Sequence, residues 1–154
     1  MPCISYFDYV KVANFIKIEK VMEDKTWGTL PTPKIYIELQ GEFIDFNKEE
    51  EYLVCKFPVQ SKYFNPMDTT LGGIIDSYMD VTMGPLSWLL GERVVTKSFS
   101  AKYIRPVTAD YKYVTAKAWR ESVSEKGSIY KAELYLDTDE LAAVSEGLFV
   151  QPKN

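Results

Sequence analysis

Histidine is absent from all 154 residues. That single absence excludes every Ser-His and Cys-His nucleophilic scheme and every histidine-ligated metal site, so any catalysis must come from carboxylates, hydroxyls, amides and the backbone. Cysteine is almost as scarce. Cys3 and Cys55 are too few for a disulfide framework and have no metal-ligand spacing, so both are expected to be reduced and structural, with no metal bound. Cations are outnumbered, 18 Lys and Arg against 22 Asp and Glu for a net charge of −4. That balance argues against nucleic acid as the main partner. No uncharged apolar run is long enough to span a bilayer, and Met-Pro-Cys-Ile-Ser at the start has neither the basic segment nor the apolar run of a secretory signal. A cytoplasmic protein without a membrane partner is the expectation. No internal repeat and no linker is visible.

What is present is ordinary for a globular chain: 46% hydrophobic and 14% aromatic residues, enough to bury a core in one domain. Tyr6, Tyr9, Val10, Ala13, Phe15, Ile16 and Val21 recur at helical spacing and predict an amphipathic helix over Tyr6 to Glu23. Thr32-Pro33 followed by Gly41 has the form of an N-cap, a first-turn proline and a glycine stop, which predicts a short second helix. The period then changes to two. Phe43 to Phe46 and Tyr52 to Pro58, with Asn47-Lys48-Glu49-Glu50 between them, predict a hairpin. A helix follows from about Leu71 to Leu90, stopped by Gly91, and then strands over Arg93 to Ile104, Lys112 to Ser122, Ser128 to Asp137 and Leu141 to Gln151.

The helix is the organising element. Ile74, Ile75, Tyr78, Met79, Val81, Thr82, Leu86, Trp88, Leu89 and Leu90 cover most of its circumference, as expected of a helix buried nearly all round against an antiparallel sheet. Pro85 lies inside it and predicts a kink or break near Val81 to Pro85. Its start is chemically unusual. Asn65-Pro66-Met67-Asp68-Thr69-Thr70-Leu71 leads into Gly72-Gly73, where something can approach the backbone closely, and free N–H groups with the helix dipole attract a partly negative oxygen. Asp76 and Asp80, four residues apart, lie near one face.

Asn65-Pro66, Gly72-Gly73, Asp80, Val95-Thr96 and Tyr103-Ile104-Arg105-Pro106, at these spacings, resemble the signature of phenylacetate-pathway (PaaI-like) acyl-CoA thioesterases. The resemblance covers roughly residues 41–150. It implies an α+β hotdog fold, an antiparallel sheet wrapped around one long helix, here with residues 1–40 as a helical amino-terminal extension and 41–151 as the core of a single domain. Carried over by position, it implies Gly72 as the backbone donor to the thioester carbonyl, Asp80 as general base or nucleophile, and Asn65 and Thr96 as the residues that place water and substrate. Leu71, Gly73, Asp76, Lys97 and Arg105 fall beside the expected substrate. Two positions depart from the family: Leu71 stands where histidine is usual, and Asp76 where an uncharged residue is usual.

Geometry adds a constraint. Eight residues separate Gly72 from Asp80, a rise of about 12 Å on a helix, so the two from one chain cannot serve one carbonyl. Antiparallel packing of two such helices about a twofold axis would bring Gly72 of one chain to Asp80 of the other and give two sites per dimer. The expectation is a homodimer, or a dimer of dimers, acting on acyl-CoA with no cofactor beyond the coenzyme A of the substrate. Arg93, Lys97, Lys102 and Arg105 are the candidate cations for its phosphates. The alternative is a non-catalytic acyl-CoA-binding or regulatory hotdog protein. A dehydratase or hydratase on this fold is disfavoured because those enzymes use a histidine.

Overall fold

A computed structural model describes residues 33–153. The amino-terminal helix expected over Tyr6 to Glu23, and Cys3 with it, lie outside the described residues.

Helix α1 (Lys34–Glu38) follows Pro33. The expected glycine stop has a different cause. The left-handed residue is Gln40, at φ 53°, while Gly41 is required because a Cβ there would lie 2.5 Å from the Tyr36 ring. Strands β1 (Glu42–Asn47) and β2 (Tyr52–Pro58) form the expected hairpin. Its turn is held by Asn47, whose side-chain oxygen accepts from the N–H of Glu49 and of Glu50 at 2.9 and 3.0 Å.

A single turn of 3-10 helix (Ser61–Tyr63) leads to the long helix α2 (Gly72–Leu89), and then come β3 (Val95–Tyr103), β4 (Tyr113–Ser124), β5 (Gly127–Leu136) and β6 (Leu141–Val150). All neighbouring pairs are antiparallel, in one six-stranded sheet of order β1-β2-β4-β5-β6-β3. In that sheet β1 and β3 are the edges. Cross-strand register aligns Cys55, Ala116, Leu134, Ala143 and Tyr103 in one row facing α2. The first four are fully buried, and the alanines let the helix approach the sheet.

Ile75, Tyr78, Met79, Val81, Thr82, Met83, Leu86, Ser87 and Leu89 of α2 are buried, whereas Ile74, Trp88 and Leu90 are only partly so. Burial is therefore less complete than predicted and leaves the face with Gly73, Asp76 and Asp80 partly open. The predicted break does not occur: the helix runs without interruption through Pro85. Buried side chains on both sides of the proline hold the two halves against the sheet, so one lost hydrogen bond is tolerated. Ser87 also donates to the Gly84 carbonyl at 2.6 Å. At the far end Gly91 adopts φ 85°, and the bonds Gly91 N–H to Trp88 O and Glu92 N–H to Ser87 O, 2.9 and 2.8 Å, close a Schellman cap.

Glu92 then fastens this end of the helix to the sheet. Its carboxylate accepts from the Ser128 hydroxyl at 2.7 Å and from the buried Tyr130 hydroxyl. It also pairs at 3.2 Å with Arg120, whose guanidinium is shared with Glu51. This network starts β3 two residues later than the predicted Arg93.

Candidate active site

The loop before α2 is built on Asn65. Its side-chain oxygen accepts from the N–H of Met67 and of Thr69 at 2.9 and 3.3 Å, and its Nδ2 donates to Thr69 Oγ1 at 2.8 Å. Backbone bonds between Asn65 N–H and Thr69 O (2.8 Å), and between Asp68 N–H and Asn65 O (3.0 Å), tighten the same loop. An Asx-type brace of this kind lets Asp68 take φ 57°. The Asn65 amide is thus turned into its own loop, which delivers the chain to the helix start.

There Leu71 occupies the N-cap with no side-chain cap bond, and the first turn carries no acidic residue. The Leu71 side chain is about half exposed and its carbonyl accepts from Ile74 and Ile75. Among the described residues no acceptor reaches the N–H of Gly72 or of Gly73. Both point out of the helix end, where the dipole adds partial positive charge. No atom lies within 4 Å of where a Gly73 Cβ would be. A Cβ on Gly72 would meet the Tyr103 ring at 3.3 Å.

Gly72 lines an open cleft of about 330 Å³ with Thr70, Ile75, Tyr103, Ile104 and Arg105. Thr70 is buried, and its hydroxyl has no hydrogen-bond partner among the described residues. Arg105 is anchored at the rim, donating to the Leu141 carbonyl at 2.9 Å and pairing with Glu140 at 3.3 Å. Tyr103 spans from β3 to the helix: its hydroxyl donates to Asp76 Oδ1 at 2.7 Å. That bond, with some burial and the Asp76 charge, pushes the Tyr103 phenol up to about 12.

Two turns further along, the Thr96 hydroxyl donates to Asp80 Oδ1 at 2.8 Å. Thr96 faces the helix because it pairs with the inward Phe149. Burial raises the Asp80 carboxyl above its ordinary 3.8, and the Asp76 charge adds to the rise, while the Thr96 hydrogen bond pulls it back. A half-buried carboxylate with a raised pKa, oriented by one hydroxyl, is a stronger base than a free aspartate.

The sequence-predicted residues therefore fall into two groups. Gly72, Gly73, Asp76 and Arg105 gather at the helix start, and Asp80 with Thr96 lies lower on the same face. Lys97 sits at the bulge between Thr96 and Ser98, and Lys97, Lys102 and Arg93 have no ion-pair partner among the described residues. Tyr103 was legible only as part of a motif. Its inward face follows from alternation with Phe99 and Ala101, but its bond to Asp76 leaves no mark in the sequence. No group of three or more metal-ligating side chains occurs among the described residues, and no described helix is long and apolar enough to cross a membrane.

No protein-family model matches the sequence, and no curated protein does. Solved structures do. The PaaI protein of the phenylacetic acid degradation operon of E. coli superposes with a TM-score of 0.74 at 16% identity, covering 94% of this chain and 97% of that one. A phenylacetic acid degradation-related protein of Ralstonia eutropha gives 0.73 at 19% identity, over 83% and 97%. A thioesterase of Haemophilus influenzae gives 0.67 at 18%, over 86% and 85%. Six antiparallel strands around one long helix, shared with these proteins, give this chain the hotdog fold.

Proposed function

We propose that this protein hydrolyses acyl-CoA thioesters, with Asp80 as general base at a site that Gly72 of a second copy completes. The observation that carries the reading is Asp80 itself: a half-buried carboxylate, raised in pKa by burial and aimed by the Thr96 hydroxyl at 2.8 Å. The fold shared with the PaaI protein and with a thioesterase supports it.

In this reading the Asp80 carboxylate removes a proton from water as the water oxygen attacks the thioester carbonyl carbon. The carbonyl oxygen becomes an oxyanion and takes the Gly72 N–H of the partner; a preorganised donor of this kind is typically worth about 3–4 kcal/mol. Collapse of the tetrahedral intermediate breaks the C–S bond. The thiolate leaves and recovers the proton held by Asp80, so acid and free thiol are the products. The outer edge of β3, unpaired among the described residues and with Val95 and Tyr103 exposed and Ile104 exposed just beyond it, supports pairing with a second copy there. Lys97, Lys102 and Arg93 are available for the phosphates of coenzyme A, whereas Arg105 is held by Glu140.

A panel of aryl, medium-chain and long-chain acyl-CoAs with a thiol reagent tests the activity, and size measurement by sedimentation tests the dimer. Thiol release by the wild-type protein and none by Asp80→Asn is the expected result. Tight binding of acyl-CoA without release from any chain would replace hydrolysis with the binding-only alternative.

A further inference from the structure

The geometry points to Tyr103, acting through Asp76, as the positioning residue for the Gly72 peptide. The start of α2 needs such a device. Two successive glycines have wide backbone freedom, Leu71 offers no capping oxygen, and no acidic side chain stabilises the first turn. An unconstrained start would fray, because the front N–H groups have no acceptor among the described residues.

Tyr103 supplies the constraint at two points one helical turn apart. Its ring stands beside Gly72, so close that a Cβ added there would lie 3.3 Å from the phenol end, and its hydroxyl binds Asp76 at 2.7 Å, with the Gly72 carbonyl 3.5 Å away. The tyrosine is itself held firmly. It pairs with fully buried Ala143, and the next two N–H groups, of Ile104 and Arg105, both donate to the Ala142 carbonyl at 2.7 and 3.0 Å. The tether thus joins the Gly72 peptide to the strand end that forms the opposite wall of the same cleft. Packing alone would need only the ring. The hydroxyl-to-carboxylate bond is what separates positioning from cover. Asp76 lies one turn into the helix on the face that Tyr103 reaches, and its carboxylate accepts the phenol's hydrogen bond.

The kinetic consequence rests on the thioesterase reading; the structural one does not. The test uses the full-length protein and four variants, Tyr103→Phe, Asp76→Ala, Asp76→Asn and the double Tyr103→Phe/Asp76→Ala, with the acyl-CoA turned over fastest and amide hydrogen exchange over residues 72–76. Tyr103→Phe and Asp76→Ala should each lower kcat about tenfold, the scale of a lost hydrogen bond near 1.4 kcal/mol, with little change in KM. The double variant should lose no more than either single one. Asp76→Asn keeps an acceptor for the hydroxyl and should lose less. Exchange should quicken in Tyr103→Phe and Asp76→Ala. Unchanged kcat in Tyr103→Phe, or a loss confined to KM, overturns the proposal even if exchange quickens. If the wild-type protein turns over nothing, the thioesterase reading fails separately. The variants are then compared by exchange and by affinity for a non-hydrolysable ketone analogue of acyl-CoA, which keeps the carbonyl oxygen. Quicker exchange with weaker binding sustains the positioning role, and either one without the other overturns it.

Discussion

The Thr96 hydroxyl meets Asp80 Oδ1 at 2.8 Å across the seam between an edge strand and the central helix, and this bond lowers the carboxyl's pKa. Burial and the Asp76 charge push the Asp80 carboxyl up, while Thr96 holds it down. The Asp80 carboxyl is therefore tuned by two neighbours of opposite effect, each removable without emptying the core.

The first prediction follows from those opposed pulls. With Asp80 as the proposed base, hydrolysis needs its carboxylate ionised, so kcat/KM should fall as pH drops through its raised pKa. Thr96→Val removes the interaction that lowers that pKa, and the acid limb should move to higher pH. Asp76→Asn removes a charge that raises it, and the limb should move to lower pH. A pH–rate profile for each variant checks this; movement of both limbs in the same direction would exclude Asp80 as the titrating group.

Asp80→Asn should cost activity and add stability. Loss of a general base typically lowers turnover by about 10²–10⁴. The stability sign follows from linkage. With the folded-state pKa raised above the ordinary 3.8, ionising Asp80 costs the native state more than the unfolded one as pH rises from 3.8 through the raised value. The asparagine variant should therefore melt above wild type at pH 7, and the gap should close as the pH is lowered towards 3.8. Thermal unfolding at the two pH values measures it.

Much of this molecule is legible in its sequence because its signals are local. The three-and-four spacing from Ile74 to Leu90, the alternation along β5 and β6, and Gly91 as a helix stop all report nearest-neighbour physics. The candidate roles of Gly72, Asp80 and Thr96 come from the resemblance to a family signature, not from any local rule. Strand order was not legible, because the placement of β2 beside β4 and of β3 beside β6 depends on which faces meet across long loops. Of the kink or break that a local rule predicts at Pro85, the break does not occur, because burial on both sides of the proline holds the helix together. Glu92 gave no warning either, since its partners Ser128, Tyr130 and Arg120 come from two strands far along the chain.

Asn65 offers a third test. Its side chain makes three hydrogen bonds within its loop, so Asn65→Ala should cost about 1–3 kcal/mol at roughly 1 kcal/mol per net bond. Asn65→Asp keeps the two bonds from Met67 and Thr69 N–H, and the Thr69 hydroxyl can reverse to donate, so its melting temperature should return to near wild type. Activity then separates two roles. If Asn65 also placed the attacking water through its amide N–H, the aspartate variant would stay folded yet lose turnover.

The shared site yields the strongest test, because proline can delete one backbone donor at Gly72 with little other change. Gly72 is the first helical residue, where proline is favoured, and Leu71 before it already has φ −55° and ψ 136°, the conformation that a following proline demands. Gly72→Pro should therefore fold and lose about 10²–10³ in kcat through the missing N–H. Gly72→Ala carries the same Cβ toward Tyr103 but keeps the donor, so it should lose far less. Neither this proline variant nor Asp80→Asn should be active alone. Mixing the two after unfolding and refolding together produces, by random pairing, mixed dimers in about half the population, each with one intact site of two, for about a quarter of wild-type activity. Recovery on mixing requires Gly72 of one chain and Asp80 of the other to act on the same carbonyl. No recovery would place both groups of a working site in one chain, which the roughly 12 Å between them along the helix opposes.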